Sequence, residues 1–138
     1  MKTVIFACVH NAGRSQIAAG FFNARVNPTQ ARAVSAGTRP AESVHPQVVE
    51  AMREVGIDVS AARPTLLTAD MIGRAERVIT MGCGEDCPYV PGVKVEDWPL
   101  LDPKGQSIEQ VRAIRDEIRS RVEQLLAAQG WIGTTASR

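Results

Sequence analysis

Cysteine, net charge and long apolar runs are all scarce in this chain of 138 residues. Three cysteines are an odd number and too few to staple a disulfide scaffold; in a cytoplasmic protein they point to thiol chemistry or metal. Sixteen basic residues against fifteen acidic ones leave a net charge of +1, so no global field favours nucleic acid or an anionic membrane as partner. No apolar run approaches the roughly 20 residues a bilayer span requires. Met1-Lys2 leads directly into a strand-length apolar segment without a cleavage-type region, so a cytoplasmic location is expected. The length suits a single domain burying about two-thirds of its unfolded surface. We expect that domain over residues 1–130, a weakly structured tail over 131–138, and a monomer.

What the chain does have is concentrated near its start. Thr3-Val4-Ile5-Phe6-Ala7 is an apolar run, Cys8-Val9-His10-Asn11-Ala12-Gly13-Arg14-Ser15 follows it, and a helical pattern begins at Gln16. Strand, tight loop and helix N-terminus turn backbone N–H groups inward, where they can cradle a tetrahedral oxyanion. Arg14 can add a bidentate fork to the same oxygens. A thiol at Cys8 would sit beside a site built for negative charge, which favours the thiolate. Ser15 can offer its hydroxyl to the sulfur, Asn11 tolerates a left-handed backbone, and Gly13 allows close approach. The plainer alternative is a buried cysteine ending a core strand; the strand–loop–helix setting favours the nucleophile.

Along the chain, Gln16 to Val26 carries Ile17, Phe21 and Val26 on a rough helical stripe that Asn27-Pro28 stops. Phe21 and Phe22 read as core. Ala31 to Ala36 is a second strand ended by Gly37. Arg39 and His45 read as polar loop residues. Pro46 suits the first turn of a helix with Val48, Val49, Met52 and Val55 as its stripe and Gly56 as its stop. Thr68-Ala69-Asp70 opens a short helix; Arg77 to Met81 and Val93 to Val95 are third and fourth strands. Ser107 to Gln110 has capping-box spacing, and Ile108, Val111, Ile114, Ile118, Val122 and Leu125 line one face of a helix ended by Gly130.

Strands alternating with helices predict an α/β fold: a four-stranded parallel sheet covered on both faces, in a three-layer sandwich of flavodoxin type. Ligands in such sheets bind beyond the carboxyl ends of the strands. Cys8, Ser35, Cys83 and the loop of Asp102 all follow strands, so one edge can gather them. Asp102, before Pro103, is the candidate general acid for a departing oxygen, and Asp97 is the second choice.

Cys8 through Ser15 resembles the phosphate loop of low-molecular-weight protein tyrosine phosphatases and of the arsenate reductases sharing their fold. Ser35-Ala36-Gly37 and Asp102-Pro103 are further matches, and the resemblance runs from Lys2 to Gln129. Within it, the phosphatases carry a further cysteine where this chain has Gly13 and an aromatic residue where it has Lys104. Cys83 and Cys87 stand instead in a Gly-rich loop, as in three-cysteine arsenate reductases. The resemblance implies that Cys8 attacks arsenate held by Val9, His10, Asn11, Ala12, Gly13 and Arg14, with Ser15 supporting the sulfur and Asp102 as acid. It further implies a disulfide relay through Cys83 and Cys87, re-reduced by thioredoxin or, alternatively, by mycothiol or glutaredoxin. No tightly bound cofactor and no metal are expected: too few ligands are left for zinc, and Ala19 stands where some members place a potassium-binding Glu. A phosphatase and a non-catalytic oxyanion-binding redox sensor are the competing readings.

Overall fold

The computed structural model describes residues 1–82 and 90–133; Cys83 and Cys87 lie outside the described residues. Strand β1 (Lys2–Cys8) lies inside the sheet, flanked by β2 (Ala31–Gly37) and β3 (Arg77–Thr80), with β4 (Lys94–Asp97) beyond β3. All three pairings are parallel, and Cys8 stands opposite Gly37, Ala7 opposite Thr80, and Thr80 opposite Asp97. The expected four-stranded parallel sheet is therefore present, and its carboxyl edge carries Cys8.

Alternation along β1 divides the core. Val4, Phe6 and Cys8 face one layer, built by helices α1 (Arg14–Arg25), α2 (Pro46–Arg53) and α4 (Ile108–Gln129). Ile5 and Ala7 face the other, which Leu67, Val78 and helix α3 (Ala69–Gly73) close through Ile72. Phe6, Phe21 and Phe22 are fully buried, and Phe6 packs edge-on against Phe22 at 5.9 Å between ring centres. Burying each such ring contributes about 1.5–3 kcal/mol. The caps behave as their sequence predicts. Ser107 accepts from the Gln110 N–H and Thr68 from the Met71 N–H, while Pro46 occupies the first turn of α2 and Gly130 closes α4 in the left-handed region.

Two expectations change. Trp131 to Gly133 is packed rather than weakly structured. Trp131 is buried against Phe22, its carbonyl accepts from the Asn27 N–H at 2.7 Å, and Ile132 bridges Val26. A large aromatic directly after the helix stop has apolar area to bury, and the end of α1 supplies the surface. The second change concerns Ser35, which lies within β2 opposite Phe6 rather than beyond its end. It lines a cleft of about 620 Å³ between α1 and the 56–65 segment, beside Gln16, Asp58 and Thr65, and does not join Cys8.

Helices α2 and α4 are joined at Glu54. Arg112 Nη2 reaches its carboxylate at 2.7 Å and Arg115 Nη1 at 2.8 Å, while Arg115 also donates to the Ala51 carbonyl at 2.9 Å. Hydrogen bonds from the two guanidinium groups hold the Glu54 carboxyl at about 2, below its ordinary 4.5. A depressed carboxyl stabilises the fold fully above pH 4.5 and loses that contribution as pH falls toward 2. Glu54→Gln should accordingly flatten the fall of the melting temperature across that window, measured by circular dichroism. An unchanged slope would mean the two arginines do not grip Glu54 in solution.

Candidate functional site

The loop from Cys8 to Gly13 is held by its carbonyl oxygens. Thr38, Arg39 and Ala41 donate backbone N–H groups to the carbonyls of Cys8, Val9 and His10 at 3.3, 2.8 and 3.0 Å. Gln16 Nε2 donates to the Asn11 carbonyl at 3.0 Å, His45 N to that of Ala12 at 2.9 Å, and Ile17 N to that of Gly13 at 3.0 Å. Six consecutive carbonyls thus point away from the loop's centre. The N–H groups of Val9 to Arg14, which share peptide planes with those carbonyls, have no protein acceptor among the described residues. Helix α1 adds to this, because its start at Gly13 has no side-chain cap and no acidic residue in its first turn. Arg14, Ser15 and Gln16 are nonetheless buried there. A buried, uncapped helix start needs an acceptor for its free N–H groups, and an anion supplies one.

Gly37 makes the arrangement possible. A Cβ on it would lie 2.6 Å from the Val9 carbonyl oxygen and 2.9 Å from the Asn11 nitrogen, inside backbone that cannot give way. This gives a physical reason for the glycine of Ser35-Ala36-Gly37. Asn11 is fully buried, with φ at +51°, and its side chain bonds in two directions. Its Oδ1 accepts from the Thr65 N–H at 2.9 Å, and its Nδ2 donates to Ser15 Oγ at 2.6 Å. With Ser15 Oγ already accepting, its own proton is free for Cys8 Sγ, 2.9 Å away. The chain of donors can therefore run from Asn11 through Ser15 to the sulfur.

Arg14 lies beside this loop with only 8% of its side chain exposed. Its Nη1 donates to the Leu100 carbonyl at 3.1 Å and its Nη2 lies 3.7 Å from Asp102 Oδ2. Its Nε is buried without a partner among the described residues. Taking a guanidinium out of water costs several kcal/mol unless charge and hydrogen bonds offset it; one neutral carbonyl and a distant, half-exposed carboxylate offset little. Gly82, with φ at +93°, closes the other side, where a Cβ would lie 2.5 Å from Arg14 Nη1.

Asp102 is the acidic side chain within salt-bridge reach of Arg14 among the described residues. Its Oδ1 is occupied by the Lys104 N–H at 3.0 Å. Asp97, the second choice, is turned to Thr80, whose hydroxyl donates to its Oδ1 at 2.7 Å. His45 is half-buried near Asp102, Lys104 and His10. Burial pushes its imidazole below the usual range, and the attraction of Asp102 opposes that shift. His45 and Thr65 were not singled out by sequence as parts of the loop's support: one acts through its backbone N–H, and the other lies 54 residues from its partner Asn11. Arg39 is exposed and reaches the loop only through its main chain.

The geometry can hold a tetrahedral oxyanion on inward N–H groups and a guanidinium, with a sulfur at its rim and a carboxyl nearby. Gly37→Ala should weaken phosphate binding by at least about tenfold, or roughly 1.4 kcal/mol, because the new methyl displaces the loop. Phosphate protection of Cys8 against alkylation measures this, and retention of wild-type protection would show that the loop tolerates the intrusion.

Comparison with known proteins agrees with this architecture. Residues 3–130 match the low molecular weight phosphotyrosine protein phosphatase family. A Halobacterium salinarum protein provisionally named as an arsenate reductase is 42% identical over 124 residues, 87% of each chain. The glutaredoxin arsenate reductase of Synechocystis is 38% identical over 130 residues, 92% of this chain and 98% of that one. The structure of the thioredoxin-dependent arsenate reductase of Corynebacterium glutamicum superposes with a TM-score of 0.79 at 39% identity. That match covers 93% of this chain and spans 61% of the other. By fold, loop and sequence, the chain belongs to the low molecular weight phosphotyrosine protein phosphatase family.

Proposed function

We propose that the protein reduces arsenate to arsenite, with Cys8 as nucleophile and Cys83 and Cys87 as a relay to an external dithiol of thioredoxin type. The observation that carries this reading is the loop from Cys8 to Gly13, whose outward carbonyls leave N–H groups for a tetrahedral oxyanion beside the Cys8 sulfur and the buried Arg14 guanidinium. Relatives named as arsenate reductases support the same reading.

The proposed reaction runs in three chemical steps and a re-reduction. Arsenate docks on the N–H groups of Val9 to Arg14, and the Arg14 side chain binds it through a charge-assisted fork. The Cys8 thiolate attacks arsenic, an S–As bond forms, and Asp102 protonates the departing oxygen, which leaves as water. The Cys83 thiolate then attacks Cys8 Sγ. The S–As bonding pair passes to arsenic, which falls from the pentavalent to the trivalent state and leaves as arsenite. Cys87 attacks Cys83 Sγ of the resulting Cys8–Cys83 disulfide and expels the Cys8 thiolate. The two electrons gained by arsenic are returned when the external dithiol reduces the Cys83–Cys87 disulfide.

Three variants test the relay. Cys8→Ser should abolish turnover while phosphate still binds. Cys83→Ser should form the Cys8–arsenic adduct but release no arsenite unless a small thiol is added. Cys87→Ser should complete one turnover and stop as a Cys8–Cys83 disulfide, seen by mass spectrometry of the digest. Normal turnover of both loop variants with mycothiol or glutaredoxin, but not with thioredoxin, would replace the relay with transfer of the arsenic adduct to a small thiol.

Two further variants test the site. Arg14→Lys should reduce kcat/KM for arsenate at least a hundredfold, since a point charge cannot reproduce the planar fork. Asp102→Asn should slow the first chemical step by about a hundredfold or more while phosphate affinity changes little. If Asp97→Asn carries that phenotype instead, Asp102 is not the acid. A rate on aryl phosphates far above that on arsenate would make the protein a phosphatase.

A further inference from the structure

Pro103 is buried, although Leu101, Lys104 and Gly105 around it are exposed. Its ring is therefore the anchor of an otherwise solvent-facing segment, and the place it occupies is the space a side chain at Gly13 would fill. A Cβ on Gly13 would lie 2.6 Å from Pro103 Cγ and 3.2 Å from its Cδ, with His45 Cδ2 at 3.6 Å. Asp102, the residue before this anchor, is held loosely by its own contacts. Its side chain is 45% exposed, and one oxygen is 3.7 Å from Arg14. The other accepts, among the described residues, only the local Lys104 N–H. What fixes the carboxyl over the loop is then the backbone, since a residue preceding proline is confined to extended conformations and the proline's φ is locked.

We propose that Gly13 is a positioning residue: its missing side chain forms a notch that seats Pro103 and so sets Asp102 over Cys8 and Arg14. The proposal rests on the reading of Asp102 as the acid. The Pro103 ring must leave the notch if a methyl group enters it, and His45 closes the third side. Asp102 moves with it, and a displacement of about 1 Å at a reacting group can cost a hundredfold in rate. The N–H of residue 13 and the Arg14 guanidinium stay in the loop, so oxyanion affinity and the rate separate.

Two double-mutant cycles decide the matter. Gly13→Ala should lower kcat/KM for arsenate at least tenfold, while the phosphate concentration that protects Cys8 from alkylation changes less than twofold. In a Pro103→Ala background, where the ring atoms that the methyl would strike are gone, Gly13→Ala should cost less than twofold. The same should hold in an Asp102→Asn background, where there is no acid left to misplace. An undiminished cost in either background would overturn the proposal, as would a parallel loss of phosphate affinity, because Gly13 would then act on the loop itself. If the wild-type protein consumes no arsenate, the arsenate reading fails separately. The cycles are then read on phenyl phosphate, whose cleavage draws on the same acid, and a protein inactive on both would overturn both.

Discussion

The structure depends on the direction of six carbonyl groups. From Cys8 to Gly13 every carbonyl oxygen is taken by a donor outside the loop: three N–H groups of the strand-following segment Thr38 to Ala41, those of His45 and Ile17, and the Gln16 amide. A buried carbonyl left without a partner costs on the order of 1–3 kcal/mol. The loop therefore cannot turn over without losing several such bonds together. Since the peptide plane is rigid, fixing the oxygens outward fixes the hydrogens inward. The site for an anion is thus a by-product of satisfying the polar groups on the other side of the chain.

Much of this can be read in the residues, and the remainder has identifiable reasons. β1, the loop and α1 were legible because an apolar run, a Cys-to-Arg interval and a helical stripe are all local patterns. The capping of α4 by Ser107 was equally local. Residues whose contribution is main-chain were invisible: Thr38, Ala41 and His45 support the loop with N–H groups that any residue except proline could supply. The Leu100 carbonyl that receives Arg14 is 86 residues away and leaves no mark on sequence. Ser35 misled for a related reason. The useful residue of its motif is Gly37, and its usefulness consists of atoms it lacks. Trp131 was misread because its partner Phe22 lies at the far end of the chain.

Three close approaches recur around the site, each made by a glycine against a different neighbour. Gly37 admits the loop backbone, Gly82 admits the Arg14 guanidinium, and Gly13 admits Pro103. Each removes a layer about one methyl thick. The result brings a strand, a cation and a carboxyl-bearing segment closer to one another than side chains would permit. That density matters electrostatically, because interactions between groups sheltered from water are several times stronger than between the same groups in solvent. Arg14, with its Nε unpartnered among the described residues and 8% of its side chain exposed, is largely desolvated by the fold itself. An incoming oxyanion meets a cation with little hydration to lose.

The same packing bears on how reduction can follow binding. In the proposed chemistry arsenic accepts two electrons only when a second thiolate reaches Cys8 Sγ while Arg14 still neutralises the leaving arsenite. Those demands are opposed, since the sulfur must be open to attack and the oxyanion must stay enclosed. An edge shared by several parallel strands reconciles them. β1 ends at Cys8 and β3 ends two residues before Gly82; Gly82 lies against the Arg14 guanidinium, while Pro103, next to Asp102, lies against Gly13. In the proposed chemistry the acid and the second thiol belong to separate connections of the sheet, Asp102 after β4 and Cys83 after β3. In that chemistry the helix dipole of α1 would go on holding the oxyanion while the sulfur changes partners, because the helix start is not part of either connection.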